Sequence, residues 1–199
     1  MGKQRSKFIP ISFAVVVAFA FASLVASASH ASLVLALDTT ELTKRADHIA
    51  VADVLSVQSA WVQSHKKIFT TIELSVVESW KGGAKPSSHI TVVQPGGTVG
   101  DISMTVFGMS QFSPGERALV FLRGTTGAAG VVGMAQGKRP MTRDAASGQW
   151  TVGVASSAGM ERVPLKGKAT TTSTTAEVQG PRSLDDMRGQ VQQILKAQP

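Results

Sequence analysis

Residues 32–165 of this sequence predict a mainly β domain, an antiparallel barrel or sandwich, carrying a short helix before it and a second helix at the C-terminus. Three observations predict it. Apolar residues recur with a period of two in a series of short runs, and Gly- and Pro-rich turns separate those runs. No helical-period segment stands between them, so the crossover helices that an α/β sheet requires are missing. A polar Thr/Ser tract then sets off one isolated amphipathic segment at the end of the chain.

The first 31 residues read as an export signal. Lys3, Arg5 and Lys7 make a positive start, an apolar run extends from Phe8 to Val25, and Ala26-Ser27-Ala28 and Ser29-His30-Ala31 both satisfy the small-x-small rule for cleavage. Cleavage is expected after Ala31, with Ala28 as the second site. The alternative is an uncleaved N-terminal anchor, since the run approaches the ~18 residues at which a span becomes feasible. No cysteine is present, which closes the lipoprotein route and excludes disulfides, thiolate metal sites and cysteine nucleophiles. A disulfide-free domain outside the cytoplasm must be held by its core. Residues 32–199, 168 in all, are enough for one domain burying about two-thirds of its unfolded surface. The expected location is the periplasm or the exterior, with membrane contact only through the N-terminal segment if it is retained.

The formal net charge is +7, and the three signal cations account for enough of it that residues 32–199 carry +4. The cations of the C-terminal third, Lys138, Arg139, Arg143, Arg162, Lys166 and Lys168, are spaced by Gly, Ser and Thr and not interleaved with aromatic residues. That pattern fits a solvated basic surface; a nucleic-acid partner is not expected, because a clustered basic face with stacking rings is missing.

Each element has its own signal. Ser32 to Leu35 reads as a small edge strand. Leu37 to His48 reads as a short helix, with Asp38, Thr39 or Thr40 as cap, Glu41 in its first turn and Lys44 and Arg45 in its last. Leu42 and Ala46 must pack on something else, and His48 is expected to end the helix. Ile49, Val51, Leu55, Val57 and Trp61 then share one parity, which Asp53 and Ser59 interrupt. After the polar turn Ser64-His65-Lys66-Lys67, Ile68, Thr70, Ile72, Leu74 and Val76 share the next, and the two runs read as an antiparallel hairpin. His89–Gln94 and Ile102–Phe107 read as the third and fourth strands. Ser113-Pro114-Gly115-Glu116 is a turn. Ala118-Leu119-Val120-Phe121-Leu122 is apolar throughout, as in a strand covered on both faces. Gly130–Met134 and Trp150–Val154 complete the set. The expected core is Ile49, Val51, Leu55, Ile72, Leu74, Val76, Leu119 and Phe121. Residues 166–180, with their Thr/Ser run, read as a linker. Residues 181–199 read as a helix opened by Pro181 and a near capping box, Ser183-Leu184-Asp185-Asp186, with Leu184, Met187, Val191, Ile194 and Leu195 as its docking stripe.

Catalytic signatures are missing from the sequence. Gln94-Pro95-Gly96-Gly97-Thr98-Val99-Gly100-Asp101 follows a strand, but no helix follows it and no Gly-Lys-Ser/Thr ends it, so it is not a phosphate loop. Gly96 and Gly97 read as suppliers of positive backbone angles. His48, His65 and His89 lack metal-ligand spacing, and no Gly-x-Ser-x-Gly elbow occurs. No cofactor is expected. Asp53 interrupts an apolar parity, where an unpaired charge is costly, and Arg117 or Arg123 is its expected partner. The candidate contact loops are 94–101 and 133–138, with Gly96, Gly97, Gly100, Asp101, Gln136 and Lys138 as the candidate residues.

The series Ala46-Asp47-His48-Ile49-Ala50-Val51-Ala52-Asp53-Val54, Phe69-Thr70-Thr71-Ile72-Glu73-Leu74, Val76-Val77-Glu78-Ser79-Trp80-Lys81-Gly82, Pro95-Gly96-Gly97 and Phe112-Ser113-Pro114-Gly115-Glu116-Arg117-Ala118-Leu119-Val120-Phe121-Leu122 resembles uncharacterised secreted proteins of Gram-negative, myxobacteria-like bacteria. The same plan is distantly similar to netrin-like domains of the tissue metalloproteinase inhibitor type. That similarity implies an OB-like barrel. The N-terminal cysteine with which those inhibitors reach their target metal has no counterpart here, so their mechanism does not transfer. The expected function is a noncatalytic extracytoplasmic binding module for an envelope protein or a surface glycan. The alternatives are an extracytoplasmic hydrolase assembled from distant residues and a structural envelope protein.

Overall fold

The computed structural model describes residues 32–62, 66–156, 160–163 and 180–198. The expected signal segment 1–31, most of the hairpin turn with His65, and all but the last residue of the 166–180 linker lie outside them.

Strand β1 (Ser32–Leu35) is followed by helix α1 (Thr39–Arg45). Asp38 caps α1, its carboxylate accepting from the Glu41 amide at 2.8 Å, so one of the orphan amides of the first turn is satisfied. Leu42 and Ala46 are buried as the pattern requires. The helix stops at Arg45 because Ala46 is extended and the Asp47 amide donates to the Leu122 carbonyl at 2.8 Å. His48 therefore does not end the helix; it opens the next strand.

That strand, β2 (His48–Val62), forms the predicted hairpin with β3 (Lys67–Lys81). Then follow β4 (His89–Pro95), β5 (Gly97–Val99), β6 (Ile102–Met104), β7 (Arg117–Thr125) and β8 (Ala128–Val131). A 3-10 turn (Met134–Gly137) leads to β9 (Lys138–Arg143), β10 (Trp150–Val152), β11 (Met160–Val163), β12 (Arg182–Ser183) and helix α2 (Leu184–Lys196). Eight strands form one sheet in the order β12-β10-β9-β7-β2-β3-β4-β8, and β8 pairs a second time with β7. The sequence predicts antiparallel pairing throughout, and here it is corrected: the sheet is mixed, because β4 meets β8 in parallel at Val92 and Ala129. A separate parallel pair joins β1 to β11, and β5 with β6 makes a small hairpin.

The apolar residues divide between two clusters on opposite faces of the strands. Ile49, Val51, Leu119 and Phe121 face one way and pack with Leu42 of α1 and with Met187 and Val191 of α2. Ala50, Ala52, Val54, Val120 and Leu122 face the other way and pack with Ile72, Leu74, Val76, Ile90 and Val92. This double coverage is why Ala118–Leu122 is apolar at every position. Leu55 does not belong to the core and is 49% exposed. An irregularity in register between Val54 and Ser56 inserts one residue, so Val54 and Val57 pack into the same cluster and Leu55 is turned out.

Two further expectations are corrected. The strand predicted over Ile102–Phe107 ends at Met104, because the Met109 amide closes a turn on the Val106 carbonyl and Gly108 has a positive φ of 81°. Met134, expected at the end of a strand, starts the 3-10 turn instead. Helix α2 docks through Leu184, Met187, Val191 and Leu195 of its predicted stripe, without Ile194, and is capped by Ser183, which accepts from the Asp186 amide at 3.1 Å. Arg188 fastens it to β3 with two parallel bonds to Glu78, at 2.7 and 2.8 Å.

Candidate functional site

The residues of the 94–98 segment border a cavity of about 250 Å³, whose remaining walls come from β2, β3 and residues 103–112. Its geometry starts at the β2–β3 register, which sets Ser59 opposite Thr70. Thr70 gives its one hydroxyl proton to the Gly96 carbonyl at 2.6 Å, so in the 2.9 Å contact between the two hydroxyls Ser59 is the donor. Gly96 and Gly97 have φ of 100° and 132°, which bears out the reading that they supply positive angles. Gly97 also lies so close to β2 and β3 that a Cβ there would be 2.2 Å from Ser59 Oγ and 2.4 Å from Thr70 Oγ1. The chain thereby crosses the hairpin and turns into β5.

The second candidate loop is tied to the first through Ser110, which is 1% exposed. Gln94 Nε2 donates to the Ser110 carbonyl at 2.8 Å, and Ser110 Oγ donates to the Met134 carbonyl at 3.1 Å. Within that loop the two named side chains have separate tasks. Gln136 is 2% exposed, accepts from the Leu37 amide at 2.9 Å and donates to the Leu35 carbonyl at 2.9 Å, so its amide is committed to the N-terminal segment. Lys138 holds residues 111–116 in place: its ammonium donates to the Gln111 carbonyl at 2.7 Å, pairs with Glu116 at 2.8 Å and stands 5.3 Å from the Phe112 ring centre. Gly100 and Asp101 sit at the tip of the β5–β6 hairpin and not on the cavity wall. The structure thus brings Gly96 and Gly97 onto the wall, places Lys138 behind it, and sets Gln136, Gly100 and Asp101 apart.

Sequence reasoning missed Ser59, Thr70, Gln94 and Ser110 as wall and support residues. The break that Ser59 makes in the apolar parity of β2 was the one signal available. It also missed Ile102 and Phe107, which are 56% and 59% exposed.

Elsewhere the clearest charged pair joins β2 to β7. Asp53 meets Arg117 in a bidentate contact, Nε to Oδ1 at 2.6 Å and Nη2 to Oδ2 at 2.7 Å, and the guanidinium lies 4.7 Å from the centre of the Trp150 ring. The hydrogen bonds from Arg117 hold the Asp53 carboxyl below its ordinary range, and the Asp53 carboxylate in turn raises Arg117. A lowered carboxylate pKa stabilises the fold above its unfolded value of about 4, and the gain is lost as pH falls through the folded value. Asp53→Asn should therefore cost about 0.5–1 kcal/mol at pH 7, a modest figure because the pair is partly exposed. The difference between the two proteins should shrink steadily below about pH 4. Urea denaturation at pH 7 and pH 3 checks this; a constant difference would contradict it. Arg139 is corrected from a solvated surface cation to a buried one, 9% exposed and within 3.4 Å of Thr39 Oγ1.

Among the described residues no group of three or more His, Cys, Asp or Glu side chains is placed to hold a metal ion. Among them, too, no helix is long and apolar enough to cross a membrane. No protein-family profile, curated protein or solved structure matches this chain.

Proposed function

We propose that the chain is a noncatalytic extracytoplasmic binding module on an OB-like barrel, receiving an envelope protein on the surface around residues 94–112. The barrel reading is supported by the cyclic pairing β2-β3-β4-β8-β7-β2, five strands with a single parallel seam between the third and the fifth. That order matches the partly open Greek-key barrel whose faces and loops serve as binding surfaces in many settings. Export is supported by the composition of residues 1–31.

The observation that carries the functional reading is the pairing of a small polar cavity with two large exposed apolar side chains close by in sequence. Ile102 lies on β6 and Phe107 follows it, and both are more than half exposed while the segment between them borders the cavity. An aromatic and an aliphatic anchor beside a polar-walled cavity is the composition of a protein interface centre, and favours a protein over a surface glycan. The test is affinity capture from the native envelope fraction with the full chain and with an Ile102→Ser/Phe107→Ser variant. Both side chains are exposed, so the variant should fold, which its thermal transition checks. A partner captured by the native chain and reduced at least tenfold by the variant is the expected result. Equal capture by both proteins would remove this surface from the reading.

A further inference from the structure

We infer that a second groove, formed by residues 35–37, Arg45, Arg123 and 130–133, binds a small amphipathic anion, an acidic head group carrying an aliphatic tail. Its wall residues are separate from those of the cavity beside residues 94–112, and the inference goes beyond the protein-binding role of that surface.

The groove encloses about 490 Å³, within the usual range for small-molecule sites. Leu35, Leu37, Val131 and Val132 supply its apolar walls. One wall is held in place from behind. The buried Gln136 amide accepts from Leu37 N and donates to Leu35 O, so the segment is fixed by its backbone and the Leu35 side chain remains 37% exposed. Gly133 completes the arrangement. Its φ is +65°, a conformation that glycine adopts without strain, and a Cβ there would come within 2.6 Å of Leu37 Cδ1, so Leu37 packs against this turn as it stands.

The polar side of the groove has one sign. Arg45 and Arg123 line it, and no carboxylate does. Arg45 engages Glu41 through Nε at 3.2 Å, which leaves its terminal nitrogens for another acceptor. Arg123 is exposed on β7, and among the described residues no acidic side chain is paired with it. Two guanidinium groups beside aliphatic walls complement a carboxylate, sulfonate or phosphate head on a short hydrocarbon, and disfavour a neutral or cationic amphiphile of the same length.

Isothermal titration of the full chain with decanoate tests the assignment, with decanol as the neutral analogue of equal length. Saturable 1:1 binding of decanoate is expected, at least tenfold tighter than decanol. An Arg45→Gln/Arg123→Gln variant should weaken decanoate at least tenfold and leave decanol unchanged. Leu35→Glu, which sets a negative charge in the groove at an exposed position, should abolish decanoate binding without lowering thermal stability. Equal affinity for decanoate and decanol, or decanoate binding that both variants leave unchanged, would place any uptake elsewhere, as on the apolar run of residues 8–25, and overturn the proposal. Absence of saturable binding would overturn it as well.

Discussion

Phe121→Ala is expected to lower the free energy of unfolding by about 3–5 kcal/mol, the loss found when a large buried aromatic side chain leaves a cavity. Phe121 is 0% exposed and belongs to the apolar cluster that β2 and β7 share with residues of helices α1 and α2. Neither helix is long enough to be stable alone, so both depend on the cluster to which Phe121 belongs. Against a total stability of about 5–15 kcal/mol, the loss should move the urea midpoint by a large fraction of its value. A change below about 1 kcal/mol would mean that the helices do not rest on this cluster.

Gly97→Ala is expected to cost about 2–4 kcal/mol and to disturb the candidate binding surface at the same time. Two effects combine. A φ of 132° is a conformation that residues with a Cβ avoid, at about 1–3 kcal/mol. The new methyl must also displace Ser59 and Thr70, breaking the hydroxyl chain that ends on the Gly96 carbonyl, for about 1 kcal/mol more. Gly100→Ala is the control: its φ is +60°, but a Cβ there meets nothing within 4 Å. It should cost only about 1 kcal/mol, the left-handed penalty alone. Thermal or urea denaturation of both variants measures the difference, and equal losses would show that the close approach at Gly97 contributes nothing.

The features legible in the sequence are the local ones. Asp38 and Ser183 cap their helices because the capping signal lies within three residues of its partner amide. The hydrophobic run Ala118–Leu122 announced a strand covered on both faces, and the interruption at Asp53 announced its arginine partner. Leu55 departs from its parity because it is itself the residue inserted between Val54 and Ser56, and nothing in the composition of residues 54–56 marks the insertion. The parallel seam between β4 and β8 depends on a meeting of Val92 with Ala129, which no local pattern encodes. The groove wall at Leu35 and Leu37 is fixed by Gln136, about a hundred positions away in the chain. For the same reason the candidate site was only half visible: the glycines betray a turn, whereas Ser59, Thr70 and Ser110 become wall and support only after three separate segments have been folded together.

The central claim, that the surface around residues 94–112 is the recognition face, is tested most directly by amide hydrogen exchange of the full chain with and without its native envelope extract. Slowed exchange concentrated in residues 94–112, and lost in the Ile102→Ser/Phe107→Ser variant, is the predicted result. Slowed exchange confined to other segments, or none in the presence of a captured partner, would contradict it.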